Sequence, residues 1–238
     1  METIERAIIM AAGEGRRLRP ITERTPKPLI KVNGIRIIDT SIQALKKNDV
    51  HEIYIVVGYK KEQFYEVYND DPEIHILENN DYDKSNNITS LYAAKEYLSQ
   101  SFIIEGDILI RNPRVYASTI ERSMYCCEWM PVVPEWAVQL KQGKLELCSI
   151  EGNIENAYRL WGISMWTKED GQRLAEMVKE EVEIRNNLSL YWDQIPLMTC
   201  KDGFSLGTRS VEETDMIEID TVHELAALDS MYNKYCMK

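Results

Sequence analysis

Apolar runs alternate with amphipathic stretches along the first half of the chain. Ala7 to Ala12 is a continuous apolar run, which is the pattern of a parallel strand buried on both faces. Similar runs recur at 53–57, 74–77 and 102–104, and stretches with helical spacing separate them at 39–47, 62–68 and 87–97. Strand–helix–strand units of this length form right-handed crossovers. The first half therefore predicts a largely parallel sheet.

The second half of the chain changes to shorter β-like pieces. They occupy residues 124–127, 138–140, 145–150 and 162–166, and a further strand is predicted near 217–219. Helices are predicted from Lys168 to Val182 and from Thr221 to Tyr235. We expect the four pieces between residues 124 and 166 to add antiparallel or mixed strands to the same sheet. Because the chain shows neither a linker nor a repeat, the pattern favours one α/β domain over residues 1–238.

The charge balance narrows the class of partner. Lys and Arg total 28 and Asp and Glu total 39, so the formal net charge is −11. A negative chain repels nucleic acid and anionic lipid, whereas local cations and backbone amides can still hold a small phosphorylated ligand. No apolar run approaches the ~20 residues that cross a bilayer, so we expect no membrane insertion. Five cysteines without a C-x-x-C spacing favour free thiols in a reducing cytoplasm.

A glycine-rich loop follows the first strand. It reads Gly13-Glu14-Gly15-Arg16-Arg17-Leu18-Arg19-Pro20, with Thr25-Pro26-Lys27-Pro28 downstream. Two glycines let successive backbone N–H groups approach an anion, and the arginines and Lys27 add the positive charge that a triphosphate needs. Leu18 stands where a dinucleotide-binding fingerprint has its third glycine, and no Gly-Lys-Ser/Thr ends the loop as in a P-loop. The loop therefore indicates phosphate binding of another kind.

Two acids follow predicted strands that are far apart in the sequence. Asp107 comes after the strand at 102–104 and Asp220 after the strand near 217–219, where α/β sheets place ligands. Carboxylates hold Mg²⁺, which neutralises charge during transfer to an α-phosphate. Taken alone, Asp220 is more simply explained as a helix N-cap. The three histidines have no catalytic-looking context, and we expect them to be surface or packing residues.

The loop and the two acids together resemble the NTP-transferase superfamily, which makes NDP-sugars and related CDP compounds. The shared pattern is A-A-G-x-G-x-R-L-x-P followed by T-P-K-P. This resemblance implies a Rossmann-like three-layer α/β/α fold with a mostly parallel, mixed central sheet. It also implies that Lys27 and Arg17 act on the phosphates and that Asp107 and Asp220 are Mg²⁺ ligands. The loop residues implied to bind the nucleotide are Met10, Ala11, Ala12, Gly13, Glu14, Gly15, Arg17 and Lys27.

Later motifs resemble bacterial CTP:phosphocholine cytidylyltransferases over essentially the whole chain. They are Glu78-Asn79-Asn80-Asp81-Tyr82, Asn86 to Tyr92, Glu135-Trp136, Leu190-Tyr191-Trp192-Asp193 and Glu218-Ile219-Asp220. This resemblance implies CTP as the donor, with base and ribose lined by Asn79, Tyr82, Asn87 and Ser90. A quaternary ammonium is best held by aromatic faces with carboxylates nearby. The expected acceptor-binding residues are Glu135, Trp136, Tyr191, Trp192, Asp193 and Glu218, whereas Trp161 and Trp166 are expected in the core.

Several alternatives stay open at the level of sequence. Arg16 replaces an expected small residue, and the stretch Met130-Pro131-Val132-Val133-Pro134 can reshape the acceptor pocket. Phosphoethanolamine or 2-aminoethylphosphonate would present a primary amine that the same acids could bind. A sugar-1-phosphate nucleotidylyltransferase is the next alternative, and CTP is not separated from UTP. The pattern leaves the oligomeric state open.

Overall fold

The computed structural model describes residues 1–236, which contain thirteen strands and five α-helices. The strands are β1 (Glu2–Thr3), β2 (Arg6–Ala11), β3 (Lys31–Val32), β4 (Ile35–Arg36), β5 (Glu52–Val57), β6 (Ile74–Glu78), β7 (Ser101–Glu105), β8 (Ile108–Ile110), β9 (Thr119–Ile120), β10 (Met124–Lys141), β11 (Lys144–Trp166), β12 (Gly207–Ser210) and β13 (Met216–Glu218). The helices are α1 (Ile37–Lys46), α2 (Glu62–Tyr68), α3 (Ile88–Ala93), α4 (Lys168–Lys179) and α5 (Val222–Leu228).

A seven-stranded sheet in the order β12-β10-β11-β7-β2-β5-β6 forms the centre of the fold. Strands β7, β2, β5 and β6 run parallel to one another, and β12 runs parallel to β10. Only β11 runs antiparallel to its two neighbours in this sheet. The predicted mostly parallel, mixed sheet flanked by helices is therefore confirmed.

Strand β2 shows why the first half forms a buried parallel sheet. Ala7, Ile9 and Ala11 belong to one apolar cluster, whereas Ile8 and Met10 belong to a second cluster on the other face. Successive side chains of a strand point to opposite faces, so an uninterrupted apolar run supplies two cores at once. Helices cover these two faces.

The second half departs from the predicted short pieces. Strands β10 and β11 are 18 and 23 residues long and form one hairpin that turns at Gln142 and Gly143, both with positive φ. Arg159 of β11 pairs with Glu128 on one edge and with Ala137 on the other. The hairpin therefore bends back, and its distal arm (residues 135–151) lies on the β7 side of β11. Trp136, with φ 48°, marks the bend.

The predicted helices are correctly placed, but several end earlier than expected. Helix α3 covers only the first part of 87–97 and continues as a 3-10 turn at Lys95–Tyr97. Helix α4 continues beyond Lys179 as a π-helical turn at Glu180–Ile184, so the helical segment reaches past the predicted end at Val182, whereas α5 is followed by a 3-10 segment at Ser230–Tyr235. Within residues 1–236, no helix is long and apolar enough to cross a membrane.

Candidate active site

The parallel strands β2, β5, β6 and β7 end at one edge of the sheet, and three adjoining cavities lie there. We call them the loop cavity, of about 210 Å³, the amide cavity, of about 200 Å³, and the aromatic cavity, of about 480 Å³. Glu105, the last residue of β7, lines all three. Ligands of α/β sheets bind at this edge because the loops that follow parallel strands converge there.

The loop cavity is formed by the glycine-rich segment after β2. Gly15 has φ +62°, and a Cβ on it would lie 3.0 Å from Lys27 Cβ and 3.1 Å from Thr22 Cγ2. Glycine is therefore required both by the backbone conformation and by the close approach of Lys27. The Glu14 carboxylate pairs with Arg16 and Arg19. Because these partners belong to the loop, the Glu14 side chain braces the loop from within.

Three carboxylates meet at the border of the loop and aromatic cavities. Oxygen atoms of Asp107, Glu218 and Asp220 lie within 4.8 Å of one another. The pairing of β8 with β13 brings them together, because Glu218 stands opposite Ile108 and the two aspartates flank this register. Asp107 Oδ1 is buried without a hydrogen-bond partner among the described residues. A compact set of oxygen donors with one free buried oxygen fits a hard divalent cation such as Mg²⁺.

Lys27 lies between the two aspartates. Its Nζ is 2.7 Å from Asp107 Oδ2 and 2.9 Å from Asp220 Oδ1, and the residue is only 8% exposed. Burial alone lowers the pKa of Lys27, but the Asp107 and Asp220 carboxylates outweigh burial and raise it. The lysine is therefore cationic at neutral pH. Arg17 Nη2 donates to Asp220 Oδ1 at 2.6 Å from the exposed side of the same cluster.

Asp220 had two explanations from the sequence, a helix N-cap and a metal ligand, and the structure assigns the cap to another residue. The N-cap of α5 is Thr221, whose hydroxyl accepts from Glu224 N while the Glu224 carboxylate accepts from Thr221 N. This is a complete capping box. The Asp220 carboxylate is therefore not needed as a cap and remains with Lys27 and Arg17.

The amide cavity collects the polar side chains predicted to contact base and ribose. Asn79, Tyr82, Asn87 and Ser90 all line it. Asn79 Nδ2 donates to Thr89 Oγ1 at 3.0 Å and to Ser90 Oγ at 3.1 Å, which fixes the orientation of the amide. These buried hydrogen bonds hold the polar wall of the cavity in one geometry.

The aromatic cavity combines two rings with several carboxylates. Trp136, from the distal arm, and Tyr191 meet edge to face with ring centroids 5.2 Å apart. The acidic residues that line the cavity are Glu105, Glu135, Asp193, Glu218 and Asp220. Asn87 donates to Glu105 at 3.3 Å and accepts from Trp192 N at 3.0 Å, so one amide links this cavity to the amide cavity.

Burial perturbs the acids of the aromatic cavity. Burial raises the pKa of Asp193 to about 7, although a hydrogen bond from the Tyr125 hydroxyl lowers it. Burial and the Asp107 and Asp220 charges raise the pKa of Glu218 to about 7, against the lowering effect of Arg159 and Lys27. Burial and nearby acids also raise the pKa of Glu105 well above its ordinary value. A cation bound here would relieve this repulsion.

The structure places the ring of Trp192 away from the aromatic cavity and adds Glu105 and Arg159 to the lining of that cavity. Trp192 is 3% exposed and packs between Tyr125 and Trp166, so its ring belongs to the core. Glu105 was detectable as an acid at the end of a buried strand before Gly-Asp. Arg159, which lines the aromatic cavity, gave no comparable signal because it lies within a strand whose extent was not predicted.

Comparisons with known proteins agree with this geometry. The family model described as Nucleotidyl transferase matches residues 6–124. A 2-aminoethylphosphonate cytidylyltransferase from Lancefieldella rimae is 36% identical over 230 residues, which cover 95% of this chain and 92% of the relative. A choline-phosphate cytidylyltransferase from Streptococcus pneumoniae is 31% identical over 235 residues, covering 95% and 97%.

Solved structures extend the comparison to the fold. The structure of the CTP:phosphocholine cytidylyltransferase from Streptococcus pneumoniae has a TM-score of 0.86 and 28% identity, and the match covers 97% of this chain and 99% of that one. An inositol-1-phosphate CTP transferase from T. maritima has a TM-score of 0.75 at 20% identity, which concerns the fold alone. The similarity therefore spans both the sheet and the long hairpin.

Proposed function

Because the chain belongs to the nucleotidyl transferase family, we propose that this nucleotidyltransferase moves CMP from CTP to the phosphoryl group of phosphocholine. The products are CDP-choline and pyrophosphate. The observation that carries this proposal is that three cavities adjoin at Glu105, and two of them, the loop cavity and the aromatic cavity, also share the carboxylate cluster. Such an arrangement provides separate places for a triphosphate, a nucleoside and a small cationic acceptor.

The nucleotide occupies the loop and amide cavities in this proposal. The backbone from Met10 to Gly15 and the side chains of Arg17 and Lys27 hold the triphosphate. Asn79, Tyr82, Asn87 and Ser90 contact the base and the ribose. The choice of cytosine rests on the relatives, which are named as cytidylyltransferases.

The carboxylate cluster is the proposed site of Mg²⁺, held by Asp107 and Asp220. When bound there, the ion neutralises phosphate charge and aligns the reacting groups. Lys27, held cationic between the aspartates, faces the α-phosphate. Arg17 lies on the exposed side and contacts the β- and γ-phosphates. These positions make the site suited to stabilising charge rather than to moving protons.

The transfer is an in-line displacement. An acceptor phosphoryl oxygen forms a bond to the α-phosphorus while the bond from that phosphorus to the oxygen bridging the β-phosphate breaks. Pyrophosphate leaves with the bonding electrons, and no proton is transferred. The second pKa of a phosphate monoester is near ~6, so the attacking oxygen is already anionic at neutral pH. No histidine or other strong base is required, and catalysis is positioning plus electrostatics.

The aromatic pair supports choline as the acceptor's cationic group. Trp136 and Tyr191 present ring surface to a cavity that also contains Glu135 and Asp193. A quaternary ammonium offers no N–H donor, so ring faces and nearby negative charge are its best partners.

We also place the enzyme in the cytoplasm, because its five cysteines are free thiols.

A second acceptor, 2-aminoethylphosphonate, is favoured by a different observation. The Lancefieldella relative of that specificity matches 95% of the chain at 36% identity. The carboxylates of Glu135 and Asp193 could accept hydrogen bonds from its primary ammonium. The two candidates differ in which contacts dominate, and substitution of the aromatic residues separates them.

The test is pyrophosphate release measured over a grid of nucleotides and acceptors. We expect CTP with phosphocholine to be the best pair. Trp136→Ala and Tyr191→Ala should each raise the phosphocholine KM about tenfold or more and leave the CTP KM unchanged, because a desolvated cation–π contact contributes about 2 kcal/mol. Trp129→Ala is the matched control, since Trp129 lies on the same hairpin and is 54% exposed.

The grid also identifies the second candidate. A strong preference for 2-aminoethylphosphonate, with equal loss of all acceptors in both aromatic variants, would contradict the choline proposal and assign the rings a structural role. Absence of CTP-dependent pyrophosphate release with every amino phosphate and phosphonate would contradict cytidylyl transfer to this acceptor class.

A further inference from the structure

The acceptor proposed above carries a negative group into an already negative cavity. Five carboxylates line the aromatic cavity, and among the residues the structure describes its cationic lining consists of Arg17 and Arg159. Arg17 also lines the loop cavity and pairs there with Asp220. Arg159 lines the aromatic cavity but not the loop cavity. It is therefore the cation best placed to offset the charge of an acceptor phosphoryl group.

The Arg159 guanidinium is held in place from two directions. Its Cζ lies 4.3 Å from the centroid of the Trp161 ring, and its Nη2 donates to Glu218 Oε2 at 2.8 Å. The Glu218 bond is the one hydrogen bond that the guanidinium forms to the described residues. Its Nε and Nη1 donors are therefore available. A planar guanidinium with several free donors matches the oxygens of a phosphoryl group.

The position of Arg159 also fits the reaction. Its partner Glu218 belongs to the cluster with Asp107 and Asp220, so a group bound by Arg159 lies beside the proposed metal ligands. Trp136 and Tyr191 line the same cavity of about 480 Å³ as Arg159, so an anion bound at Arg159 and a cation bound at the two rings would share one cavity.

We propose that Arg159 binds the phosphoryl or phosphonyl group of the acceptor and directs its attacking oxygen toward the carboxylate cluster. This inference rests on the proposed function and adds a specificity determinant to it. The aromatic cavity then has two ends, an anion-binding end at Arg159 and a cation-binding end at Trp136 and Tyr191. The enzyme selects acceptors that carry both charges and rejects free choline, which lacks the anion.

The experiment is steady-state kinetics of Arg159→Met and Arg159→Lys with phosphocholine and with 2-aminoethylphosphonate at saturating CTP. We expect Arg159→Met to raise the KM of both acceptors about 10- to 100-fold, the effect of losing a hydrogen bond to a charged group. The CTP KM should remain within about twofold. Arg159→Lys keeps the positive charge but loses the planar guanidinium, so its acceptor KM should lie between those of the wild type and Arg159→Met. Arg111→Met is the charge-matched control, because Arg111 is exposed and lines none of the three cavities.

Inorganic phosphate provides a probe of the same site that does not need turnover of a modified acceptor. At saturating CTP it should inhibit the wild type competitively against the acceptor, and this inhibition should weaken in Arg159→Met by a factor similar to the rise in KM. Unchanged inhibition in Arg159→Met would overturn the proposal.

A double variant separates direct binding from an effect through Glu218. If Arg159 served only to neutralise Glu218, the double variant Arg159→Met/Glu218→Gln would recover the acceptor KM of Glu218→Gln. We expect no recovery, and recovery would overturn the proposal. Thermal unfolding of each variant checks that it is folded. If the wild type transfers CMP but Arg159→Met keeps a normal acceptor KM, this inference fails alone. If the wild type shows no transfer, the proposed function fails first.

Discussion

At the scale of single residues, the site is organised by one lysine and two aspartates that come from distant parts of the chain. Lys27 precedes Asp107 by 80 positions and Asp220 by 193 positions, yet its Nζ contacts both. The free, buried Asp107 Oδ1 is the detail that distinguishes this cluster from an ordinary ion pair. A structural ion pair would be expected to satisfy that oxygen.

Asp107→Asn and Asp220→Asn are each expected to reduce kcat by about 10³-fold or more. Loss of a metal ligand removes several kcal/mol of charge stabilisation in the transition state. The measurement is pyrophosphate release at saturating magnesium, with circular dichroism to verify the fold. EDTA should silence the wild type and magnesium should restore it. Near-normal turnover in both folded variants would contradict the assignment of these ligands.

Asp193 predicts a pH dependence of stability. Its folded-state pKa, raised to about 7 by burial, exceeds the ordinary value of 3.8, so the folded state binds a proton more tightly than the unfolded state. Proton binding by Asp193 therefore stabilises the folded state, fully below about pH 4, and this contribution is lost as the pH rises to about 7. The titratable groups facing Asp193 are the Tyr125 hydroxyl, which is neutral and donates a hydrogen bond to it, and Glu105, whose pKa the Asp193 carboxylate raises.

The corresponding variant is Asp193→Asn, which removes this titration. Its Tm relative to the wild type should be higher at pH 8 than at pH 5, because only the wild type must bury a carboxylate that has lost its proton. Thermal unfolding at both pH values, without ligand, measures the difference. A Tm difference that is the same at both values would show that Asp193 does not titrate in this range.

At the scale of elements, local pattern predicted the parallel part of the sheet but not the hairpin. Strands β2, β5 and β7 are buried on both faces, so their apolar runs identify them directly. Strands β10 and β11 instead carry exposed or half-buried polar and apolar residues along most of their length. Their continuity depends on cross-strand pairing and on the bend at Trp136. Neither leaves a periodic signal in the sequence.

The same difference explains which site residues were predicted. The loop, Asp107 and Asp220 lie next to short motifs at strand ends, and Glu135-Trp136 and Tyr191 were indicated by resemblance. Trp192 follows Tyr191 in the same motif, but its ring packs against Trp166 in the core. The role of Arg159 depends on the folded-back arm, which local sequence did not predict.

Helix α4 provides a test of close packing. A Cβ at Gly171 would lie 2.1 Å from the backbone oxygen of Leu98, so the helix approaches the chain more closely than any side chain permits. Gly171→Ala should lower the free energy of unfolding by about 1–3 kcal/mol. Gly203→Ala is the control, because its nearest atom would be at 3.5 Å. Chemical denaturation measures both, and equal stability of the two variants would contradict this packing.

At the scale of the whole molecule, both halves of the chain contribute to shared cores. One cluster contains Ile8 and Leu91 from the first half together with Tyr125 and Trp192 from the second. We therefore expect the chain to unfold as one unit. Tryptophan fluorescence and far-ultraviolet circular dichroism should give coincident denaturation curves with one transition. Two separated transitions would indicate that the distal hairpin or the C-terminal part folds independently.

The net charge of the whole chain is −11, which contrasts with the local cations of the cavities. Arg17, Lys27 and Arg159 line the loop and aromatic cavities, which are the proposed sites of the triphosphate and the acceptor. Local cations in an otherwise negative molecule favour small anionic substrates and disfavour nucleic acid. The electrostatics of the molecule thus agree with a small-molecule transferase.

The proposed transfer requires an acceptor oxygen to attack the α-phosphorus of CTP, and isotope tracing follows this step. The enzyme is incubated with magnesium, phosphocholine or 2-aminoethylphosphonate, and CTP labelled with ³²P at either the α- or the γ-phosphate. We predict that the α-label appears in the cytidine–acceptor conjugate and the γ-label in pyrophosphate, with both transfers lost in Asp107→Asn. Release of the γ-label as inorganic phosphate, or its appearance on the acceptor, would contradict the account.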